Sequence, residues 1–161
     1  MISEYHARNE RLAQALRVHP PHTDAFAFDD LATLSRHGIN GPWLSKTEQG
    51  RTVLHSIQAR WVRMVQLTQA VCDALDEAGL RHVVLKGVTA AATWPTPWLR
   101  SQSDVDVLVH PRDFEPTLEA LIAAGVCTEE KGRTVMHAQL GTADAAETFV
   151  EVHHRLAEQY F

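Results

Sequence analysis

The sequence predicts an α/β domain with a small mixed β-sheet flanked by helices. Three observations support this prediction: a long stretch of apolar residues at helical spacing, several short apolar runs bounded by turn residues, and a length of 161 residues. A chain of this length can bury one sizeable core but is too short for two well-buried ones. One domain is therefore expected.

The first part of the chain has a different pattern from the rest. We predict that residues 1–50 form an N-terminal helical segment packed on a core that occupies residues 51–161. Within the first segment, apolar spacing indicates a short helix over residues 3–17 and a second helix between Asp24 and Gly38.

The strongest helical pattern lies between Thr52 and Ala78, and Gly79 supplies a stop. Its apolar positions are Leu54, Ile57, Trp61, Met64, Val65, Val71 and Leu75. Such a stripe normally faces the core of a globular protein, so we assign no chemistry to it.

Two short runs predict strands at the centre of the sheet. The apolar run from His82 stops at Gly87, as a buried strand that enters a tight turn would. The second run is Asp104–Val109, in which valines alternate with carboxylates. Between them, the small residues 88–92 predict the start of a helix, and the prolines that follow predict a loop to Leu99.

The remaining elements complete the predicted core. Asp113 is the expected N-cap of a helix that stops at Gly125. The apolar face of this helix comprises Phe114, Leu118, Leu121 and Ile122. Residues 134–140 and 148–153 then predict two strands that form a hairpin or a looser pair.

Alternation in the second central strand places Asp104 and Asp106 on one face. Residues two apart on a strand are separated by roughly 6 to 7 Å, which lets both carboxylates share two magnesium ions about 4 Å apart. Two carboxylates in a buried strand are costly unless a cation or hydrogen-bond donors compensate them. The pattern indicates a metal site, although an Asp-x-Asp pair also occurs on solvated strand edges.

Residues near these carboxylates suit a metal-bound triphosphate. Lys86 lies directly before Gly87, where the lack of a side chain lets the backbone approach a phosphate closely. Arg100 adds a rigid fork of donors, and Ser103 adds a small hydroxyl. Structural alternatives remain open: Lys86 as a snorkelling or salt-bridged residue, and Arg100 as the ion-pair partner of Asp104.

These motifs resemble the nucleotidyltransferase superfamily of DNA polymerase β type, and within it the bacterial group described as uncharacterised nucleotidyltransferases. The resemblance covers most of the chain. It rests on Leu85-Lys86-Gly87, on Arg100-x-x-Ser103-Asp104-x-Asp106 followed by an apolar strand, and on Glu151-x-His153. One departure is Val88, which stands where the wider superfamily places a serine, so a hydroxyl contact to phosphate is absent there.

The resemblance implies a polymerase β palm-like fold and metal-dependent nucleotidyl transfer. Asp104, Asp106 and Glu151 would bind two Mg²⁺ or Mn²⁺ ions, which hold the triphosphate of an NTP donor, ATP among the candidates, and activate an acceptor hydroxyl. The residues implied to contact the nucleotide are Lys86, Gly87, Arg100, Ser103 and His153.

Alternatives remain open for the last strand. A register slip of one residue would turn Glu151 away from the site. His153 would orient a carboxylate or contact phosphate, and otherwise it is an interior histidine with satisfied hydrogen bonds. A zinc set that includes His154 is disfavoured, because neighbours on a strand point to opposite faces. The residues expected on the buried side are Val150, Val152 and Phe149.

Composition excludes some classes of partner. The net charge of -5 and the pI near 6.0 argue against a long nucleic acid. No apolar run approaches the roughly 20 residues that span a bilayer, so no membrane or targeting segment is expected. The two cysteines have neither metal spacing nor the density of a disulfide scaffold, which favours the cytoplasm.

The acceptor of the transfer is not specified by the sequence: a small molecule and a protein side chain both fit. The rival hypothesis is a non-catalytic nucleotide-binding or protein-interaction module that keeps the fold. Trp94 and Trp98 either cover core or stack on a nucleotide base. The chain stops ten residues after Glu151, whereas resembling proteins usually continue with helices. A C-terminally incomplete fragment, a minimal enzyme and a degenerate enzyme therefore remain alternatives.

Overall fold

The structure is a computed structural model that describes residues 48–100, 102–143 and 148–156. The two helices predicted upstream of Gly38 lie outside the described residues. Among the described residues, 48–60 and 98–100 belong to one compact unit, and the remainder, which includes the whole sheet, belongs to a second. The predicted boundary at residue 50 stays a prediction.

Five strands of the second unit form one mixed sheet in the order β1-β2-β5-β4-β3. They are β1 (His82–Val84), β2 (Asp104–Val109), β3 (Cys127–Arg133), β4 (His137–Thr142) and β5 (Phe149–His153). β2 runs parallel to β5, and the other neighbouring pairs are antiparallel. The helices are α1 (Glu48–Glu77), α2 (Val88–Ala91) and α3 (Phe114–Ala123), with 3₁₀ turns at Pro97–Leu99 and Pro111–Asp113. The predicted α/β fold with a small mixed sheet is confirmed.

Glycines end the two longer helices as predicted. Gly79 has a φ of 67°, and the amide of Leu80 donates back to Leu75 O at 2.9 Å, which closes the last turn of α1. Gly125 repeats this arrangement after α3, where the amide of Val126 donates to Leu121 O at 3.1 Å. A left-handed residue that closes a helix in this way is usually glycine, because a Cβ is unfavourable there.

The core lies between the helices and one face of the sheet. Alternate residues of β2, β4 and β5 point into it, as period-two alternation requires. They are Val105, Val107, Val109, Ala138, Leu140, Val150 and Val152, and they pack with Met64, Val71 and Leu75 of α1 and with Phe114, Leu118 and Leu121 of α3. The other residues of β2 and β5 are thereby directed to the opposite face, where the carboxylates lie.

Two local predictions are wrong, and the predicted N-cap of α3 is confirmed. Ile122 is 41% exposed, and Thr117 takes a buried position on α3, where its Oγ1 donates to Asp113 O at 2.7 Å. Asp113 occupies the N-cap position of α3, although its side chain makes no capping hydrogen bond. Phe149 shares the strand face of Glu151 and is only half-buried, because it alternates with Val150.

No strand was predicted over β3, which forms an edge of the sheet next to β4. Of its residues only Cys127 is buried, and the charged side chains that follow are exposed. Arg133 at its end pairs with Glu130 of the same strand and with Glu115 of α3, and lies over the ring of Phe114 at 5.3 Å. Polar contacts rather than an apolar stripe hold this edge strand.

Leu140→Ala is expected to lower the free energy of unfolding by about 2 to 5 kcal/mol, because the Leu140 side chain is fully buried between the sheet and the helices. Urea unfolding followed by circular dichroism measures the change. Leu156→Ala is the matched control, since Leu156 is 67% exposed and its truncation should change stability by less than about 0.5 kcal/mol. Equal losses in the two variants would contradict this description of the core.

Among the described residues, no helix is both long enough and apolar enough to cross a membrane.

Candidate functional site

Asp106 lies at the centre of the polar face of the sheet. It occupies the middle of β2, and only 1% of its surface is exposed. Its Oδ1 is 3.1 Å from Lys86 Nζ and 3.1 Å from His153 Nε2. Its Oδ2 is also buried and has no hydrogen-bond partner among the described residues. A buried carboxylate oxygen without a donor is costly, so a bound group that satisfies it would be favoured.

Glu151 enters the site because β5 pairs in parallel with β2. The register places Glu151 directly beside Asp106 and Phe149 beside Asp104. Glu151 Oε1 accepts a hydrogen bond from Gln139 Nε2 at 3.2 Å, and Glu151 Oε2 lies 3.5 Å from His153 Nε2. The predicted placement of Glu151 on the strand next to Asp106 is therefore confirmed.

Lys86 supplies the positive charge of this cluster. It follows β1, and its Nζ also lies 4.0 Å from Asp104 Oδ2. Burial lowers the pKa of Lys86, but the hydrogen bond to Asp106 and the charges of Asp106, Asp104 and Glu151 outweigh it and raise the pKa above its usual value. The ammonium is thus charged at neutral pH. It lies beside the carboxylates, where a bound metal ion would also lie.

The turn at Gly87 brings Lys86 to the carboxylates. Gly87 has φ 67° and ψ −122° and precedes α2, which is only four residues long. A Cβ at this position would lie 3.2 Å from Gln102 Oε1 and 3.6 Å from Asp104 O. Both the backbone conformation and the close approach therefore favour glycine.

Gly87→Ala should destabilise the fold by about 1 to 3 kcal/mol, because it forces a side chain into a left-handed conformation and against Gln102. Gly125→Ala is the matched control: Gly125 has φ 69°, but a Cβ there has nothing within 4 Å. Urea unfolding compares the two. We expect Gly87→Ala to lower the free energy of unfolding by more than Gly125→Ala does. A larger loss in Gly125→Ala would contradict the crowding at the Gly87 turn.

The structure locates the other predicted site residues as follows. Asp104 begins β2 with a partly exposed side chain, and Ser103 is exposed directly before it. His153 lies among the carboxylates. Arg100 is half-buried and belongs to the other compact unit, so its role at the site stays a prediction. Trp94 is 47% exposed, which leaves its base-stacking role a prediction as well.

Three polar residues at or near the site were not predicted. Gln102 is 8% exposed, and neither atom of its amide has a hydrogen-bond partner among the described residues. Gln139 donates to Glu151, and the His137 ring lies 5.0 Å from that of His153. The only sequence signal for His137 and Gln139 was their alternation with the apolar residues of β4. This alternation did not reveal which residues of the neighbouring strand lie beside them.

The model of a family described as "Uncharacterised nucleotidyltransferase" matches residues 32–160, which is most of the chain. The chain belongs to this family. No curated protein is significantly similar to it. Membership supports a general role in nucleotidyl transfer and an NTP as substrate.

Nucleotidyltransferases generally use divalent metal ions, and the cluster suits such an ion. Asp106, Glu151 and His153 each offer one ligand atom, and these atoms all lie within 4.8 Å of one another. The unpartnered Oδ2 of Asp106 adds a buried oxygen that a cation would satisfy. Asp104 is not one of these three residues; its Oδ2 lies 4.0 Å from Lys86 Nζ.

Proposed function

We propose that this chain transfers a nucleoside monophosphate from an NTP to a hydroxyl-bearing acceptor and releases pyrophosphate, in a reaction that depends on Mg²⁺ or Mn²⁺. The observation that carries the proposal is the pairing of the buried Asp106 with the half-buried Glu151 on parallel neighbouring strands, with Lys86 as the cationic partner of Asp106. Family membership supports the reaction class, and the donor set supports the metal dependence.

Asp104, Asp106 and Glu151 would hold the divalent cations through oxygen ligands, which Mg²⁺ and Mn²⁺ prefer. When bound, these ions would offset the charge of the triphosphate and lower the pKa of the acceptor hydroxyl, which is the chemistry that in-line displacement of pyrophosphate at the α-phosphate needs. The rigid sheet fixes the carboxylates before the substrate arrives, so little reorganisation is needed.

Lys86 would donate to phosphate oxygens and offset the negative charge that accumulates on the leaving pyrophosphate. Its stem is flexible and its side chain is 55% exposed, so the ammonium can reach a ligand beside the carboxylates. The Gly87 turn would let the backbone approach the phosphates. Arg100, Ser103 and His153 are the remaining proposed nucleotide contacts.

The proposed acceptor is a small molecule or a protein side chain. A net charge of -5 disfavours a long nucleic acid as partner. Cys72 and Cys127 are unpaired, which fits a reducing compartment such as the cytoplasm. Burial raises the pKa of Cys127 to about 12, so this thiol is unreactive and takes no part in the proposed chemistry.

Calorimetric titration of each NTP with Mg²⁺ tests the donor half of the proposal without knowledge of the acceptor. The wild-type protein should bind at least one NTP in the presence of Mg²⁺, and the double variant Asp104→Asn/Asp106→Asn should lose that binding while it remains folded. Asp73→Asn is the control, since Asp73 lies on the exposed side of α1 and bonds only Gln69 among the described hydrogen bonds.

Failure of every NTP to bind the folded wild-type protein would favour the rival function, a protein-interaction module that keeps the fold. Binding of an NTP that survives in the double variant would place the nucleotide elsewhere on the chain. Binding without release of pyrophosphate in any acceptor screen would favour a non-catalytic nucleotide-binding module.

A further inference from the structure

His153 Nε2 lies close to carboxylate oxygens of Asp106 and Glu151, at distances that are typical of two ligands of the same metal ion. It is 3.1 Å from Asp106 Oδ1 and 3.5 Å from Glu151 Oε2. Two ligands at right angles on an ion with bonds of about 2.1 Å are separated by about 3.0 Å. His153 Nε2 is therefore spaced from each of the two oxygens as one ligand of an ion is spaced from another, and the donor atoms of the three residues lie within 4.8 Å of one another.

The backbone of His153 is fixed by both neighbouring strands. It pairs with Leu108 of β2 on one side and with His137 of β4 on the other. The His137 ring lies 5.0 Å away, and His137 Nδ1 is 3.1 Å from Thr134 Oγ1. Only part of the His153 side chain is exposed, so the imidazole reaches the carboxylates with little freedom to turn away.

Asp106 supplies an independent indication of a cation. Its Oδ2 is buried without a partner among the described residues, while its Oδ1 already faces both Lys86 and His153. A cation beside Oδ1 would also bring positive charge to Oδ2. It would compete with the Lys86 ammonium, which occupies the same side of the carboxylate at 3.1 Å and can withdraw on its flexible stem.

We propose that His153 is a metal ligand together with Asp106 and Glu151, and that this nitrogen makes the site prefer a first-row transition ion such as Mn²⁺ to Mg²⁺. The inference rests on the proposed metal-dependent function and specifies its metal, and it assigns His153 to the metal ion instead of to the nucleotide. Mg²⁺ binds almost entirely through oxygen ligands, whereas an imidazole adds affinity for transition ions. The ring binds through Nε2 in the tautomer that carries its proton on Nδ1.

The test is pulsed electron paramagnetic resonance of the Mn²⁺-loaded protein, which detects coupling between the ion and a directly bound imidazole nitrogen. Wild-type protein should show this coupling, and His153→Gln should lose it. His137→Gln is the matched control, because His137 contacts the His153 ring but lies outside the donor set. It should retain the coupling.

Affinity gives a second measurement. His153→Gln should weaken Mn²⁺ binding by about 10- to 100-fold and change Mg²⁺ binding by much less, so the preference for Mn²⁺ should shrink. Bound Mn²⁺ without nitrogen coupling would overturn the proposal and leave His153 as a hydrogen-bond partner of Asp106. Coupling that disappears only in His137→Gln, or no binding of Mn²⁺ to the folded wild-type protein, would overturn it too.

Titration of NTPs into the same samples separates this inference from the proposed function. Nitrogen coupling in a protein that binds no NTP would support the metal site and contradict nucleotidyl transfer. NTP binding that requires Mg²⁺, in a protein without nitrogen coupling, would support nucleotidyl transfer and overturn the role of His153.

Discussion

Asp106→Asn is expected to lower the rate of nucleotidyl transfer by at least about 10³-fold. The substitution keeps the shape of the side chain but removes the charge of the most buried carboxylate at the site. It also replaces the carboxylate with a neutral amide at the position where Asp106 Oδ1 faces the Lys86 ammonium and His153. The measurement is pyrophosphate release from each NTP in the presence of a panel of acceptors.

Two controls make this result specific. Asp113→Asn changes a carboxylate that contacts only Arg112 among the described ion pairs, and it should leave the rate within about twofold of wild type. Circular dichroism and urea unfolding must show that Asp106→Asn is folded. A folded Asp106→Asn protein that keeps more than about a tenth of the wild-type rate would contradict the assignment of Asp106 to the reacting centre.

The strand that carries Asp104 and Asp106 was predictable from sequence because its alternation is strict. Valines face the core and carboxylates face away, and the predicted bounds Asp104–Val109 are those of β2. The same logic predicted Glu151 and His153 on one face of β5, opposite Val150 and Val152, which are fully buried. Period-two alternation fixes the face of a residue, and these assignments were correct, whereas Phe149 was placed on the wrong face of β5.

The pairing of residues on neighbouring strands was less predictable than the face on which each residue lies. The pairing of Asp106 with Glu151 depends on the parallel register of β2 and β5, which is set by contacts far apart in the sequence. Gln139 reaches Glu151 only because β4 lies on the other side of β5. No local pattern contains this information, so the contacts of Glu151 required the structure.

β3 was missed for a different reason. Its charged sequence carries no alternation of apolar residues, and its pairing with β4 includes two register shifts. Edge strands commonly carry charged side chains, which discourage pairing with other chains, and a sequence of this kind resembles a loop. Tertiary context therefore decided an element that the local pattern did not reveal.

Lys86→Met is expected to reduce kcat/KM for the NTP by about 10²- to 10³-fold, because it removes the ammonium that faces the carboxylates and is proposed to contact phosphate. The variant should also unfold at a lower temperature than wild type when divalent cations are absent, since three carboxylates then lie together without their cation. Addition of Mn²⁺ should raise its melting temperature by more than it raises that of wild type.

Lys131→Met controls for the loss of a lysine, because Lys131 pairs with Glu129 on the edge strand β3 and not with the carboxylates of the site. It should match wild type in both kcat/KM and the response to Mn²⁺. Equal stabilisation of Lys86→Met and wild type by Mn²⁺ would contradict competition between the ammonium and the ion.

Saturating metal separates the two possible roles of Lys86. If the lysine only neutralises the carboxylates, a bound ion replaces it, and Lys86→Met should recover the wild-type affinity for NTP once Mn²⁺ is saturating. If the ammonium moves to the phosphates when the ion binds, the affinity should stay low at any concentration of Mn²⁺. We expect the second result, because the raised pKa keeps Lys86 charged and its flexible, half-exposed side chain can reach a ligand beside Asp104 and Asp106.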